Sequence, residues 1–156
     1  MQIQRSSKSD SIKKMIRELE SKEIRVGFFE TAKYPDGTPI AYVAAIQEFG
    51  YGPIPPRPFM RPAELQNKNK WQAGIAQGMK AALNGAVTIG HALEQVGMVA
   101  AGDVRKAIKA VTSPPLAEST IRARQSRKKG KKAASAKPLV DTGQMLQAVT
   151  SAVVDK

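Results

Sequence analysis

Apolar residues recur at helical spacing over most of this chain and alternate over one short stretch. The first periodic segment holds Ile12, Met15, Ile16 and Leu19 on one helical face, behind Ser9 or Asp10, either of which suits an N-cap. Residues 22–30 (KEIRVGFFE) then switch to period two. Ile24, Val26 and Phe28 fall on one side and Arg25 and Gly27 on the other, as a half-buried strand requires. Pro35, Asp36 and Gly37 favour a tight turn. Thr38 reads as the N-cap of a second helix with Pro39 at its first position; Ile40, Val43 and Ile46 continue it, and Gly50 ends it.

Five prolines stand within residues 52–62, and each fixes φ and removes an amide donor, so this stretch reads as a stiff, extended connector presenting Arg57 and Phe59. A helix over residues 63–83 follows, with Leu65 and Trp71 as its larger anchors. The longest helix is expected over residues 86–111, where Leu93, Val96, Ala100, Val104, Ala107, Ile108 and Val111 form one apolar stripe. Gly90, Gly97, Ala101 and Gly102 would let a strand or helix approach it closely, at some cost in helix propensity. Pro114-Pro115 stops that element. A short helix over residues 116–124 starts near Ser119 or Thr120, and the β-branched run AVTSAVV (148–154) suits a final strand. The sum is an α+β fold: a small antiparallel sheet packed against a long helix, with additional short helices and a basic extended arm.

Length changes the picture little: 156 residues with 42% hydrophobic side chains support one core and one domain, 1–156. Charge changes it more. The formal charge is +12, of which residues 122–137 (RARQSRKKGKKAASAK) carry +8 without a single acid, residues 1–121 carry +5 and residues 138–156 carry −1. A basic run between foldable segments is a loop or arm held out from a globular body. Arg122, Arg124, Arg127, Lys128, Lys129, Lys131, Lys132 and Lys137 are therefore candidates for contact with a polyanion or an acidic partner, beside the plainer reading of a solvated loop. No cysteine is present, which excludes disulfides and thiol chemistry. Without an apolar run near the roughly 20 residues that span a bilayer, the chain is expected to be soluble, off the membrane and made in the cytoplasm.

Candidate chemistry is sparse. Leu139-Val140-Asp141-Thr142-Gly143 has the look of an aspartic-protease motif, whose chemistry needs two carboxylates sharing a proton. Only thirteen residues follow Gly143, too few for the strands such a site requires. Asp141 or Thr142 capping a short helix, with Gly143 turning the chain into a last hairpin, is the better reading. His91 stands alone, so one chain cannot assemble a catalytic triad or a histidine-rich metal site. No glycine-rich nucleotide motif occurs, and no aromatic interleaves with the basic run to stack on bases. The reading is of a non-enzyme without a cofactor or metal; contact with DNA would run through phosphates, without sequence choice.

Three ordered segments carry a family resemblance: Ala45-Ile46-Gln47-Glu48-Phe49-Gly50, then Ile54-Pro55-Pro56-Arg57-Pro58-Phe59-Met60-Arg61-Pro62, then Lys137-Pro138-Leu139-Val140-Asp141-Thr142-Gly143-Gln144-Met145-Leu146. Together they resemble the neck or tail-completion proteins of long-tailed bacteriophages, of the HK97 putative tail-component type, and the related virion-morphogenesis proteins of Mu-like phages. The resemblance covers about residues 24–154. It implies a small α+β subunit without catalytic activity, assembling as a sixfold or twelvefold ring at the head–tail junction between connector and tail proteins.

On that resemblance Glu48, Phe49 and Gly50 end a helix beside the proline-rich loop. Arg57 and Phe59 fix the loop against the body or a neighbouring subunit, and simple core anchoring is the plainer role for Phe59. Pro55, Pro56, Pro58, Asp141, Thr142 and Gly143 complete the candidate assembly residues. The resemblance does not extend to the basic run, which in a ring would line a lumen for passing DNA or face an acidic surface of an adjacent ring. The alternative is a DNA-binding accessory protein without sequence specificity.

Overall fold

The computed structural model describes residues 2–127 and 135–156, with side chains from residue 9 onward. Among the described residues six helices and two strands follow in the order α1 (Gln2–Glu20), β1 (Lys22–Gly27), α2 (Ile40–Phe49), α3 (Met60–Leu83), α4 (Ile89–Ala110), α5 (Glu118–Arg127), α6 (Gln144–Ala148) and β2 (Thr150–Asp155). The fold is α+β, with the long helix α4 packed on a two-stranded antiparallel sheet. The chain divides into two compact units. One comprises Met1–Val26, Asn67–Ala100 and Ser151–Lys156, the other Gly27–Gln66 and Ala101–Thr150, so that α3 and α4 contribute to both.

In the first unit, β2 pairs with β1. Lys22 Nζ meets Asp155 Oδ1 at 2.9 Å, and the Lys156 amide donates to the Ser21 carbonyl at 2.8 Å. The apolar stripe of α4 turns inward as its spacing predicts, burying Leu93, Val96 and Ala100. Gly97 lies directly on the sheet: a methyl group there would stand 2.9 Å from Ser151 Oγ and 3.1 Å from Ile24 Cγ2. Gly78 of α3 serves the same end against α4, for a Cβ would stand 2.8 Å from that of Ala92. Small residues here let backbones approach closely. Gly90 and Gly102, expected to act likewise, face open space. On the apolar face of α1, Ile12, Met15, Ile16 and Leu19 border a groove closed by Met79 and Leu83 of α3.

The second unit is built round Phe59, 1% exposed, whose ring meets Phe28 edge-on at 6.0 Å between centroids. Ile40, Ala44, Ala63, Val104, Ile108, Leu139, Met145 and Val149 complete the core, and α2 packs against α6. Arg105 of α4 donates to the Val149 carbonyl, tying the start of β2 to that core.

Several boundaries differ from the sequence pattern for physical reasons. α1 begins at Gln2, well before Ser9, since nothing between them breaks a helix. Pro39, not Thr38, is the N-cap of α2; the Thr38 amide instead donates to Asp36 Oδ1 at 2.9 Å in the preceding turn. α3, at 24 residues, is longer than α4 at 22, because it starts within the proline-rich stretch at Met60. Pro62 falls in its first turn, where a missing N–H costs nothing. Leu65 is no anchor: it sits about 200° round the helix from the buried Ala63 and is 83% exposed. The last strand forms no hairpin with what precedes it, and pairs with β1 instead.

Two glycine substitutions separate close packing from helix propensity. Gly102→Ala should stabilise the chain by up to about 1 kcal/mol, the propensity gain alone. Gly78→Ala should destabilise it by about 1–3 kcal/mol through overpacking against Ala92. Urea midpoints measure both, and a rise for Gly78→Ala would refute the close approach of α3 to α4.

Candidate functional site

All three segments that carry the family resemblance lie in the second unit. Glu48 joins the first two. It is 4% exposed, near the end of α2, and its carboxylate accepts from the amides of Phe59 at 2.7 Å, Met60 at 2.9 Å and Arg61 at 3.2 Å. These are the donors that the start of α3 leaves without an intrahelical acceptor; Pro62 has none to satisfy, and the Ala63 amide already reaches the Phe59 carbonyl. Arg61 Nε adds an ion pair with Glu48 at 2.9 Å, and its other arm donates to the Glu48 carbonyl at 3.1 Å. Burial alone would push the Glu48 carboxyl up, yet the amides of Phe59 and Met60 and the Arg61 guanidinium hold it below its ordinary 4.5. Negative charge is favoured there by the helix start itself.

Gly50 ends α2 with φ of 79°, its amide on the Ile46 carbonyl, and a side chain there would stand 3.0 Å from the Ile54 carbonyl oxygen. Glycine is required on both counts. The loop beyond is fixed by Arg57, 5% exposed. Its guanidinium donates to the Pro114 and Pro115 carbonyls at 2.7 and 2.8 Å and to Gln47 Oε1 at 3.2 Å. Burial and then the nearby Arg124 charge lower its pKa. Pro55, Pro56 and Pro58 remain exposed. Phe59 is a core anchor, as the plainer reading holds.

Arg124 departs most from expectation. Residues 122–127, placed by charge in an extended arm, form the last part of α5, and Arg124 is 8% exposed rather than held out to a polyanion. Its guanidinium donates to the carbonyls of Lys137 at 2.9 Å, Ser135 at 3.0 Å and Pro138 at 3.1 Å. Arg127 pairs with Asp141 at 2.9 Å, and Lys137 reaches the Lys109 carbonyl at 3.3 Å. Arg122 is exposed. Lys128, Lys129, Lys131 and Lys132 lie outside the described residues.

Asp141 lies at the edge of a cleft of about 520 Å³ lined by Tyr34, Asp36, Gln47, Arg127 and Gln144 among others. Its carboxylate is held by Arg127 and stands 3.7 Å from Arg124, and burial with the charges of Asp141 and Asp36 raises the Tyr34 phenol. Gly143, at φ of 82°, is the N-cap of α6, and Thr142 Oγ1 accepts only a long 3.4 Å bond from the Gln144 amide. The Asp-Thr-Gly segment thus turns the chain into α6 and answers the α5 arginines.

One feature was not legible from motifs. Tyr42, Ala45 and Phe49 share the outer face of α2 at i, i+3 and i+7, and Tyr51 follows; the three aromatics are 57%, 68% and 69% exposed in chain order. Arg61 stacks over the Phe49 ring at 5.1 Å. The signal in the sequence was that α2 (IAYVAAIQEF) is apolar all round, a pattern of helices covered on every side.

No family model, no curated protein and no solved structure matches this chain.

Glu48→Gln should cost about 1.5–3 kcal/mol at neutral pH, the worth of a charge-assisted hydrogen bond. A carboxyl whose folded pKa lies below its unfolded one stabilises above the unfolded value and ceases to as pH falls through the folded value. Unfolding midpoints taken from about pH 5 down to about pH 3 should therefore fall more steeply for the native chain than for Glu48→Gln. Parallel curves would refute the role of the carboxylate. Arg124→Lys, which keeps charge but loses the planar fork, should cost about 2–3 kcal/mol by thermal or chemical denaturation; a value near zero would show that the carbonyl cluster does not need the guanidinium.

Proposed function

We propose that this chain is a structural subunit of the head–tail junction of a long-tailed bacteriophage, assembling as a ring that joins connector proteins to the tail and leaves a passage for DNA. The observation that carries the reading is the joining of the three resembling segments. The first two, three residues apart, are bound together through Glu48 to Phe59 and Gln47 to Arg57, and the third, some 75 residues on, joins them through α2 against α6. A ring subunit needs a rigid body and exposed surface for its neighbours, and the second unit supplies both in the bonds that converge on buried Glu48 and in the aromatic face of α2.

No step in this role calls for turnover. The DNA-binding alternative rests on the charge of residues 122–137, and three of those eight cations have partners within the unit, Arg124 and Lys137 on carbonyls and Arg127 on Asp141. That leaves the ring reading the better supported of the two.

The test is made on phage particles. An early stop codon in the gene should yield DNA-filled heads and complete tails that remain separate, and electron microscopy of intact particles should place the chain at the junction. Infectious particles without the chain would overturn the reading.

A further inference from the structure

The two units present complementary apolar surfaces, and each is exposed. On the second unit, Tyr42 and Phe49 form a ridge along the outer face of α2, and exposed Tyr51 follows two residues past its end. On the first, the groove between α1 and α3 has a volume of about 240 Å³ and is lined by Ile12, Met15, Ile16, Leu19, Met79 and Leu83, all apolar. Ile12, Ile16 and Leu83 are themselves 41%, 50% and 54% exposed.

Size and polarity select the occupant. A dry apolar cavity of about 150 Å³ admits a benzene ring, so 240 Å³ holds one aromatic side chain and not two. The lining side chains offer nothing to a phenol hydroxyl, which would lose its hydrogen bonds on entry. Of the three aromatics, that leaves Phe49, with the tyrosines flanking it and their hydroxyls in solvent. At roughly two-thirds exposure of the 150–250 Å² an aromatic buries, the three rings offer about 400 Å², near half of one side of a standard interface.

Resting on the ring reading above, we propose that the partner for both surfaces is a second copy of this chain, with Phe49 of one copy seated in the α1–α3 groove of the next. Such a contact is head-to-tail, since ridge and groove are different patches. Each copy then uses both surfaces and leaves neither bare within a closed ring.

Head-to-tail pairing has a signature that symmetric pairing lacks. The full chain should sediment as an oligomer, while Phe49→Glu, which spoils the ridge, and Ile16→Glu, which spoils the groove, should each be a folded monomer by circular dichroism and sedimentation velocity. Mixed one to one, the variants should form a dimer and nothing larger, because only one intact ridge and one intact groove remain per pair. Phe49→Ser, a milder change at an exposed site, repeats the test should the charged variant fail to fold. A monomeric native chain, an undiminished oligomer in either variant, or a mixture that stays monomeric would overturn the contact. Particles that lack the chain would remove the phage reading and leave the mixing result standing; a monomeric mixture, with the chain still present in particles, would remove the contact alone.

Discussion

The carboxylate of Glu48 is the constraint from which the second unit is built. A helix that begins in a proline-rich stretch has no Ser, Thr, Asp or Asn ahead of it to take its first amides, and the residues before Met60 here are Arg57, Pro58 and Phe59. Glu48 answers from another helix, and three amides with one guanidinium converge on two oxygens. The end of α2 is thereby locked to the start of α3, and Phe59 is delivered into the core between them. Gly50 follows from the same geometry, since the chain leaving α2 must pass close beneath Ile54 and Pro56.

Two buried guanidinium groups do for the loops what Glu48 does for the helices. Irregular backbone in a protein interior leaves carbonyl oxygens without ladder partners, and each must find a donor. Arg57 serves those of Pro114 and Pro115, and Arg124 those of Ser135, Lys137 and Pro138. Proline makes the need sharper, because it contributes an acceptor and no donor. The planar fork of arginine suits clustered acceptors better than a lysine ammonium would. Asp141 then offsets the positive charge gathered around Arg124 and Arg127.

With its interior settled in this way, the second unit has a rigid framework on which α2 displays an outer face that is as apolar as its inner one. Ile40, Ala44 and Glu48 point in, while Tyr42 and Phe49 point out, one of them stacked under an arginine already tied to buried Glu48. Rigid presentation of aromatic side chains lowers the entropic cost of association. The same polar bonds that stabilise the fold therefore also set the shape of its exposed surface.

Much of the fold was legible from spacing alone. The period-two run with Ile24 and Val26, the stripe from Leu93 to Ile108 and the stop at Gly50 all follow from local rules in which a residue and its near neighbours set the outcome. The α+β class follows from them. What spacing could not reveal was any partnership across distance: Glu48 reaching residues 11–13 positions away, Arg57 reaching 57–58, β2 crossing to β1. Arg124 makes the point most plainly, for its neighbours in sequence are basic and polar and mark it as solvent-facing, whereas its neighbours in space are carbonyl oxygens. Local pattern determines which segments coil and which extend, because those preferences act within a few residues; only the folded chain decides which charges are spent inside, because a buried charge is stable only where its partners converge.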